Sequence, residues 1–228
     1  METDFIYWRH HTPVGIKVEE ISGGENRSGK LWKQMALQVY AENGKGGYRE
    51  IGHFKNGAPF LMDSDERISV SHTADKLIVA TLPPSPEADL SLFSTATALG
   101  VDLERGDRNQ VLKLRSRFLS EDEMNLIPDD DVAANITAWT AKEAIYKAGL
   151  DMNPDFRKAI RITRLPIPAD EGNWLKFISS NDKPDLSASF GEAMMTFPDD
   201  STLKINLFSY RSDLHIVTLS FSDETLRF

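Results

Sequence analysis

Three carboxylates and a lysine stand at spacings that could hold a metal ion and move a proton. Asp102 and Glu104 lie two apart in Gly100-Val101-Asp102-Leu103-Glu104. That run reads as a short strand, so both carboxylates leave one face while Leu103 points the other way. Glu143 falls in a later helical stretch, and Lys147 at i+4 shares its face. Lys142, next to Glu143 in sequence, points roughly 100° away around a helix of 3.6 residues per turn. Two strand carboxylates and one helix carboxylate offer only oxygen donors. Such a set suits magnesium, which takes octahedral oxygen ligands and usually draws some from substrate phosphates. Taken singly, each piece also has a plainer meaning. Asp-x-Glu describes many solvated strand faces, and Glu143 with Lys147 describes an exposed ion pair contributing about 0.2–0.5 kcal/mol. Trp139 alone reads as a core residue, and His72 alone as an ordinary histidine at a strand end.

The elements that must position these groups follow from periodicity and turn chemistry. Val14–Glu20 alternates as a strand, and Gly29–Ala41 has helical spacing through Leu31, Met35 and Val39. Tyr48–Phe54 reads as a strand, and Lys55-Asn56-Gly57 makes a turn ahead of Pro59-Phe60-Leu61. Arg67–His72 alternates strongly, with Lys76–Leu82 as its hairpin partner. Pro83-Pro84-Ser85-Pro86 is the best linker in the chain. Ser120 with Glu123 forms a capping-box pattern. Asn135–Leu150 is the clearest helix, with Gly149 near its end. Further strands are expected at Trp174–Ser179, Ala188–Phe190, Leu203–Tyr210 and His215–Phe221. The two halves share an order, helix then antiparallel strands, without a sequence repeat.

Composition narrows the function classes. With 228 residues, 40% hydrophobic and 27% charged, the chain can bury a core as one large domain or two smaller ones. It has no cysteine, which excludes disulfides, thiolate metal sites and a cysteine nucleophile, and suits a reducing cytoplasm. The early acid Glu2 and the lack of an apolar run near the start lead us to expect no secretory signal. No apolar stretch reaches bilayer-spanning length. A net charge of −9 argues against general nucleic-acid binding, and a polyanionic ligand would need positive charge gathered locally. Such a gathering exists. Arg105, Arg108, Lys113, Arg115 and Arg117 face one acid, Asp107, in the segment after the paired carboxylates.

Read together, Gly100-Val101-Asp102-Leu103-Glu104 and Trp139-Thr140-Ala141-Lys142-Glu143-Ala144-Ile145-Tyr146-Lys147 resemble the paired signature of the 4′-phosphopantetheinyl transferase superfamily. Every fixed position of both motifs is matched. Phe118 to Glu123 looks like the family's intervening segment, and Ser69-Val70-Ser71-His72-Thr73 like its Ser-His strand end. The resemblance is specific from about His72 to Lys147 and loose elsewhere. It implies an α+β fold of two similar halves, each an antiparallel sheet packed on a helix and related by a pseudo-twofold axis. The division would be 1–98 for the nucleotide side and 99–228 for the metal motif and helix. The length is that of the longer, Sfp-type class, expected to be a cytoplasmic monomer.

The resemblance also implies chemistry. The phosphopantetheine arm of coenzyme A would pass to a serine of an apo acyl or peptidyl carrier protein, with Mg2+, releasing 3′,5′-ADP. Asp102, Glu104 and Glu143 would hold the metal, and Glu143 would draw the proton from the carrier serine. Lys142 and Lys147 would neutralise charge on the phosphates, with Ser71 and His72 also contacting coenzyme A. The basic run from Arg105 to Arg117 would dock the acidic carrier, with Val111, Leu112 and Leu114 as an apolar centre; its plainer reading is a solvated helix face. Two departures concern the nucleotide end. The family's lysine before this strand is replaced by Ala58, and its first-helix arginine is absent near Gln34 and Met35. Two alternatives stay open: a catalytically weakened homologue that binds carrier or a coenzyme A fragment, and a magnesium phosphohydrolase.

Overall fold

The computed structural model describes residues 5–23, 29–43, 50–55, 57–62, 64–82, 98–148 and 155–222. Strands β1 (Phe5–His11), β2 (Lys17–Gly23), β5 (Arg67–His72) and β6 (Lys76–Leu82) form an antiparallel sheet in the order β1-β2-β6-β5. Strands β7 (Leu99–Arg105), β8 (Ile160–Arg164), β9 (Phe190–Thr196), β10 (Thr202–Ser212) and β11 (His215–Ser222) form a second, in the order β7-β11-β10-β9-β8. A small hairpin pairs β3 (Ile51–His53) with β4 (Pro59–Leu61). The helices are α1 (Gly29–Glu42), α2 (Gln110–Phe118), α3 (Glu121–Leu126), α4 (Val132–Lys147) and α5 (Glu171–Ser179). The fold is α+β, with antiparallel sheets and helices consistent with two similar halves. Among the described residues no helix is long and apolar enough to cross a membrane.

The period of two along each strand sorts side chains into layers. On β6, Leu77 and Val79 join the cluster under α1, while Ile78, Ala80 and Leu82 join a central cluster. On β11, Val217, Leu219 and Phe221 enter that central cluster, and Ile216 turns toward the cluster of α2 and α4. A strand buried on both faces has no solvated alternation, which is why β6 is buried at every residue. The central cluster draws side chains from both sides of the expected 98/99 boundary. The strands β5 and β7, each the last of its sheet, face one another, and Ser69 Oγ accepts the backbone N–H of Val101 at 3.0 Å.

A buried polar cluster joins the halves elsewhere. Glu20 on β2 accepts from His10 and Tyr210 at 2.9 Å each, and from Lys76 at 3.3 Å and Ser212 at 2.5 Å. Burial alone would raise its pKa, yet the His10 hydrogen bond and the charge of Lys76 hold it at about 2.

Several expectations are corrected. Trp174–Ser179 is helical, not a strand, because Asp170 caps α5 by accepting the N–H of Asn173 at 2.9 Å. Trp174, Phe177 and Ile178 then fall on one face against the central cluster. Ser187–Ser189 is a 3₁₀ turn, with β9 starting only at Phe190. The main helix α4 begins three residues before Asn135, where Asp131 accepts the N–H of Ala134 at 2.9 Å. The Pro83–Pro86 linker and Gly149 lie outside the described residues.

Candidate active site

Helix α4 approaches β7 without a side chain between them. A Cβ placed on Gly100 would lie 1.8 Å from the carbonyl oxygen of Ala144, so only glycine fits at this crossing. Leu99, Val101 and Leu103 enter the central cluster, which leaves Gly100, Asp102 and Glu104 on the opposite face, beside α4. Below the crossing, Thr140 Oγ1 and Thr218 Oγ1 lie 2.8 Å apart, and Thr218 is the β11 partner of Asp102. Hydroxyls therefore hook the helix to the sheet directly under the carboxylate.

The geometry brings Asp102, Ser71 and Lys147 into contact. Ser71 Oγ donates to Asp102 Oδ1 at 2.7 Å, and Lys147 Nζ donates to the same oxygen at 2.6 Å and to Ser71 Oγ at 2.8 Å. Burial raises the pKa of Asp102, opposed by Lys147 and Ser71. Glu143 has no hydrogen bond or ion pair among the described residues. Its pKa is pushed up to about 7 by burial and by the charge of Asp102, with Lys147 opposing and Glu104 adding to the rise. Asp102 and Glu104 share the α4-facing side of β7, and Lys147, one turn beyond Glu143, reaches Asp102, so Glu143 lies on the helix that carries this contact. Glu104 is paired with Arg108 on the loop before α2. Among the described residues no three His, Cys, Asp or Glu side chains stand in an arrangement that closes round a metal.

His72 stands exposed at the end of β5. Partial withdrawal of its ring from water lowers its pKa, and so do the charges of Lys33 and Lys147. Lys33, on α1, is a cation that the sequence reading passed over, because its nearness to His72 depends on how α1 lies on the first sheet. Ala58 brings no charge to this end; its carbonyl accepts the N–H of Phe54 at 2.9 Å within the β3–β4 hairpin.

Lys142 is not brought to this cluster, which corrects the expectation that it neutralises phosphate. It is wholly buried and donates to Glu123 Oε2 at 2.7 Å, Phe156 O at 2.7 Å and Ile160 O at 2.8 Å. An ammonium has three donors, and all are taken. Glu123 also closes the capping box with Ser120 and accepts the N–H of Ile162 at 2.7 Å, so this pair ties α3, α4 and β8 together.

The basic run does not present one free face either. Arg105 pairs with Asp107 at 2.7 Å and Asp75 at 3.8 Å, and Arg108 with Glu104. Arg115 donates to the carbonyls of Met124 at 3.3 Å and of Ile127, closing the end of α3. Lys113 and Arg117 are exposed and make no hydrogen bond or ion pair among the described residues.

Residues 98–192, from the start of β7 into β9, match the family model of the 4′-phosphopantetheinyl transferase superfamily. Comparison with curated proteins gives no match. The matched segment carries Asp102, Glu104, Glu143 and Lys147, whereas Ser71, His72 and Lys33 come from the first half, outside it.

Proposed function

We propose that the protein transfers the 4′-phosphopantetheine moiety of coenzyme A to a serine of an apo carrier protein, with Mg2+, releasing 3′,5′-ADP. One observation carries this reading: carboxylates at the β5–β7–α4 seam, inside the family-matched segment, stand against the ammonium of Lys147, with the imidazole of His72 and the charge of Lys33 close by. The donor set fits a magnesium ion. Asp102, Glu104 and Glu143 are all oxygen donors, and the ammonium of Lys147 already shows that Asp102 accepts a cation. Those three residues would hold the ion, which when bound neutralises charge on the diphosphate and stabilises the leaving group.

The chain's own residues supply the rest. Lys33, His72 and Lys147 would bind the phosphates, with Lys33 answering in part for the lysine missing at Ala58. Ser71 holds Asp102 in place. The carrier serine oxygen attacks phosphorus as the bond to the 3′,5′-ADP oxygen breaks, and the serine proton passes to Glu143, directly or through a water. Glu143 suits that role because its carboxylate has no hydrogen-bond or ion-pair partner among the described residues, and a base must lie within hydrogen-bond reach of the proton it takes. Lys113 and Arg117 are the cations left free to meet an acidic carrier. We further propose that the protein is a cytoplasmic monomer of the longer, Sfp-type class.

Mass spectrometry of an apo carrier protein incubated with the enzyme, coenzyme A and Mg2+ tests the reading. A gain of one phosphopantetheine arm is expected. No gain, with carrier or coenzyme A still bound, would instead identify a homologue that binds without turnover.

A further inference from the structure

Two of the three carboxylates at the seam already carry an internal cation. Lys147 Nζ lies 2.6 Å from Asp102 Oδ1, and Arg108 Nη1 is paired with Glu104 Oε1. Both cations end long, flexible side chains that are partly open to solvent, 28% for Lys147 and 42% for Arg108. Either can leave its carboxylate by side-chain rotation alone. A divalent ion cannot share Asp102 Oδ1 with an ammonium at this distance, because like charges repel strongly at a carboxylate this buried. Asp102 and Glu104 are thus each neutralised by a neighbour, and among the described residues no three carboxylates close round a metal.

Resting on the function proposed above, we propose that Lys147 and Arg108 are built-in counter-ions that hold the metal site shut until a diphosphate draws them away. Lys147 sits one turn beyond Glu143 and also contacts Ser71, so a short swing carries its ammonium from Asp102 toward a phosphate near His72. Arg108 opens the loop into α2 and can follow the same anion. Each move frees one carboxylate as the ligand arrives. Metal and coenzyme A then favour each other reciprocally, as linkage requires. Arg108 gains a positioning role that neither motif assigns to it.

Titration of the full chain with Mn2+ alone, followed by calorimetry or by the paramagnetic signal of free Mn2+, tests this without turnover. The wild type should bind Mn2+ weakly. Lys147→Met and Arg108→Gln should each bind it tighter, on the order of tenfold, and should gain less from added coenzyme A. A structural role alone would leave Mn2+ affinity unchanged or weaken it. Arg108 is at the surface, so Arg108→Gln decides the matter even where Lys147→Met folds poorly. Equal or weaker Mn2+ binding by Arg108→Gln, with Asp102→Asn weaker still, would overturn the counter-ion role and leave the metal assignment standing. If Asp102→Asn binds Mn2+ like wild type, the metal assignment fails and this proposal with it.

Discussion

Helix α4 carries two lysine–carboxylate pairs, five residues apart, built from the same chemical parts. Lys142 is wholly buried against Glu123, with its donors saturated by one carboxylate and two carbonyls. Lys147 meets Asp102 and a serine hydroxyl at the rim and keeps a path to solvent. Burial lowers the pKa of Lys142 even though Glu123 opposes the shift, which measures how far that ammonium has left water. The first pair has no alternative partner and is a fixture of the fold. The second can exchange its partner, and a site that must admit ligands needs that freedom. Position in a motif does not distinguish them; saturation of donors and access to water do.

The sharpest way to break this contrast is to remove each lysine in turn. Lys142→Ala leaves Glu123 buried without its cation, which costs about 3–5 kcal/mol. For a chain of this size the melting temperature should fall on the order of 10 °C. Lys147→Ala should cost less, because Asp102, whose pKa burial already raises, can take up a proton and keeps the hydroxyl of Ser71. Thermal melts followed by circular dichroism would refute the contrast if the two losses came out alike or reversed. The second effect inverts the ranking. Lys147→Ala should slow phosphopantetheine transfer by about 10²–10³, measured at saturating substrates.

A third test extends the contrast to the arginines. Arg115 donates to two carbonyls at the end of α3, so Arg115→Ala should destabilise by about 1.5–3 kcal/mol, the range for hydrogen bonds to charged groups. Arg117→Glu should leave stability within about 0.5 kcal/mol, as open surface changes do. It should instead raise the KM for carrier and not for coenzyme A, with the defect shrinking at high salt. Equal KM changes toward both substrates would count against docking at Arg117.

The smallest effect sharpens the account of Glu143. Its folded pKa of about 7 lies above the ordinary value of 4.5, so the folded state holds that proton more tightly than the unfolded chain does. Its ionisation therefore weakens the fold progressively as pH rises from 4.5 toward 7, and fully above that. Glu143→Gln should stabilise the protein at pH 8 by about 1 kcal/mol, solvent screening of a partly exposed group limiting the gain. At pH 4 the two melts should nearly coincide. A Glu143→Gln benefit that is the same at both pH values would show that the carboxyl is not strained by charge.

Much of this site was legible because motif and element coincide. Asp102 and Glu104 share a face by strand periodicity, and Glu143 and Lys147 share one by helix periodicity; both relations are local. The capping box at Ser120 was legible for the same reason. What escaped was tertiary. The burial of Lys142 depends on where β8 and Phe156 lie, and nothing in Lys-Glu adjacency reveals it. Lys33 reaches the field of His72 only because α1 lies across the first sheet. The helix α5 was hidden by a short apolar run, Trp174 to Ile178, whose length suits either element. Its signal was the cap, Asp170 three residues before Asn173. The Arg105–Arg117 run looked like one surface because charge was counted without partners, and three of its five cations turned out to be engaged.

The apposed edges of β5 and β7 bear on behaviour in concentrated solution. An uncovered edge strand offers its unpaired backbone groups to any neighbouring chain, and so invites aggregation. Here each edge hides the other, and the hydroxyl of Ser69 occupies an N–H that would otherwise face outward. The seam thus also guards against self-association. Any motion that parts it presents two sticky edges at once.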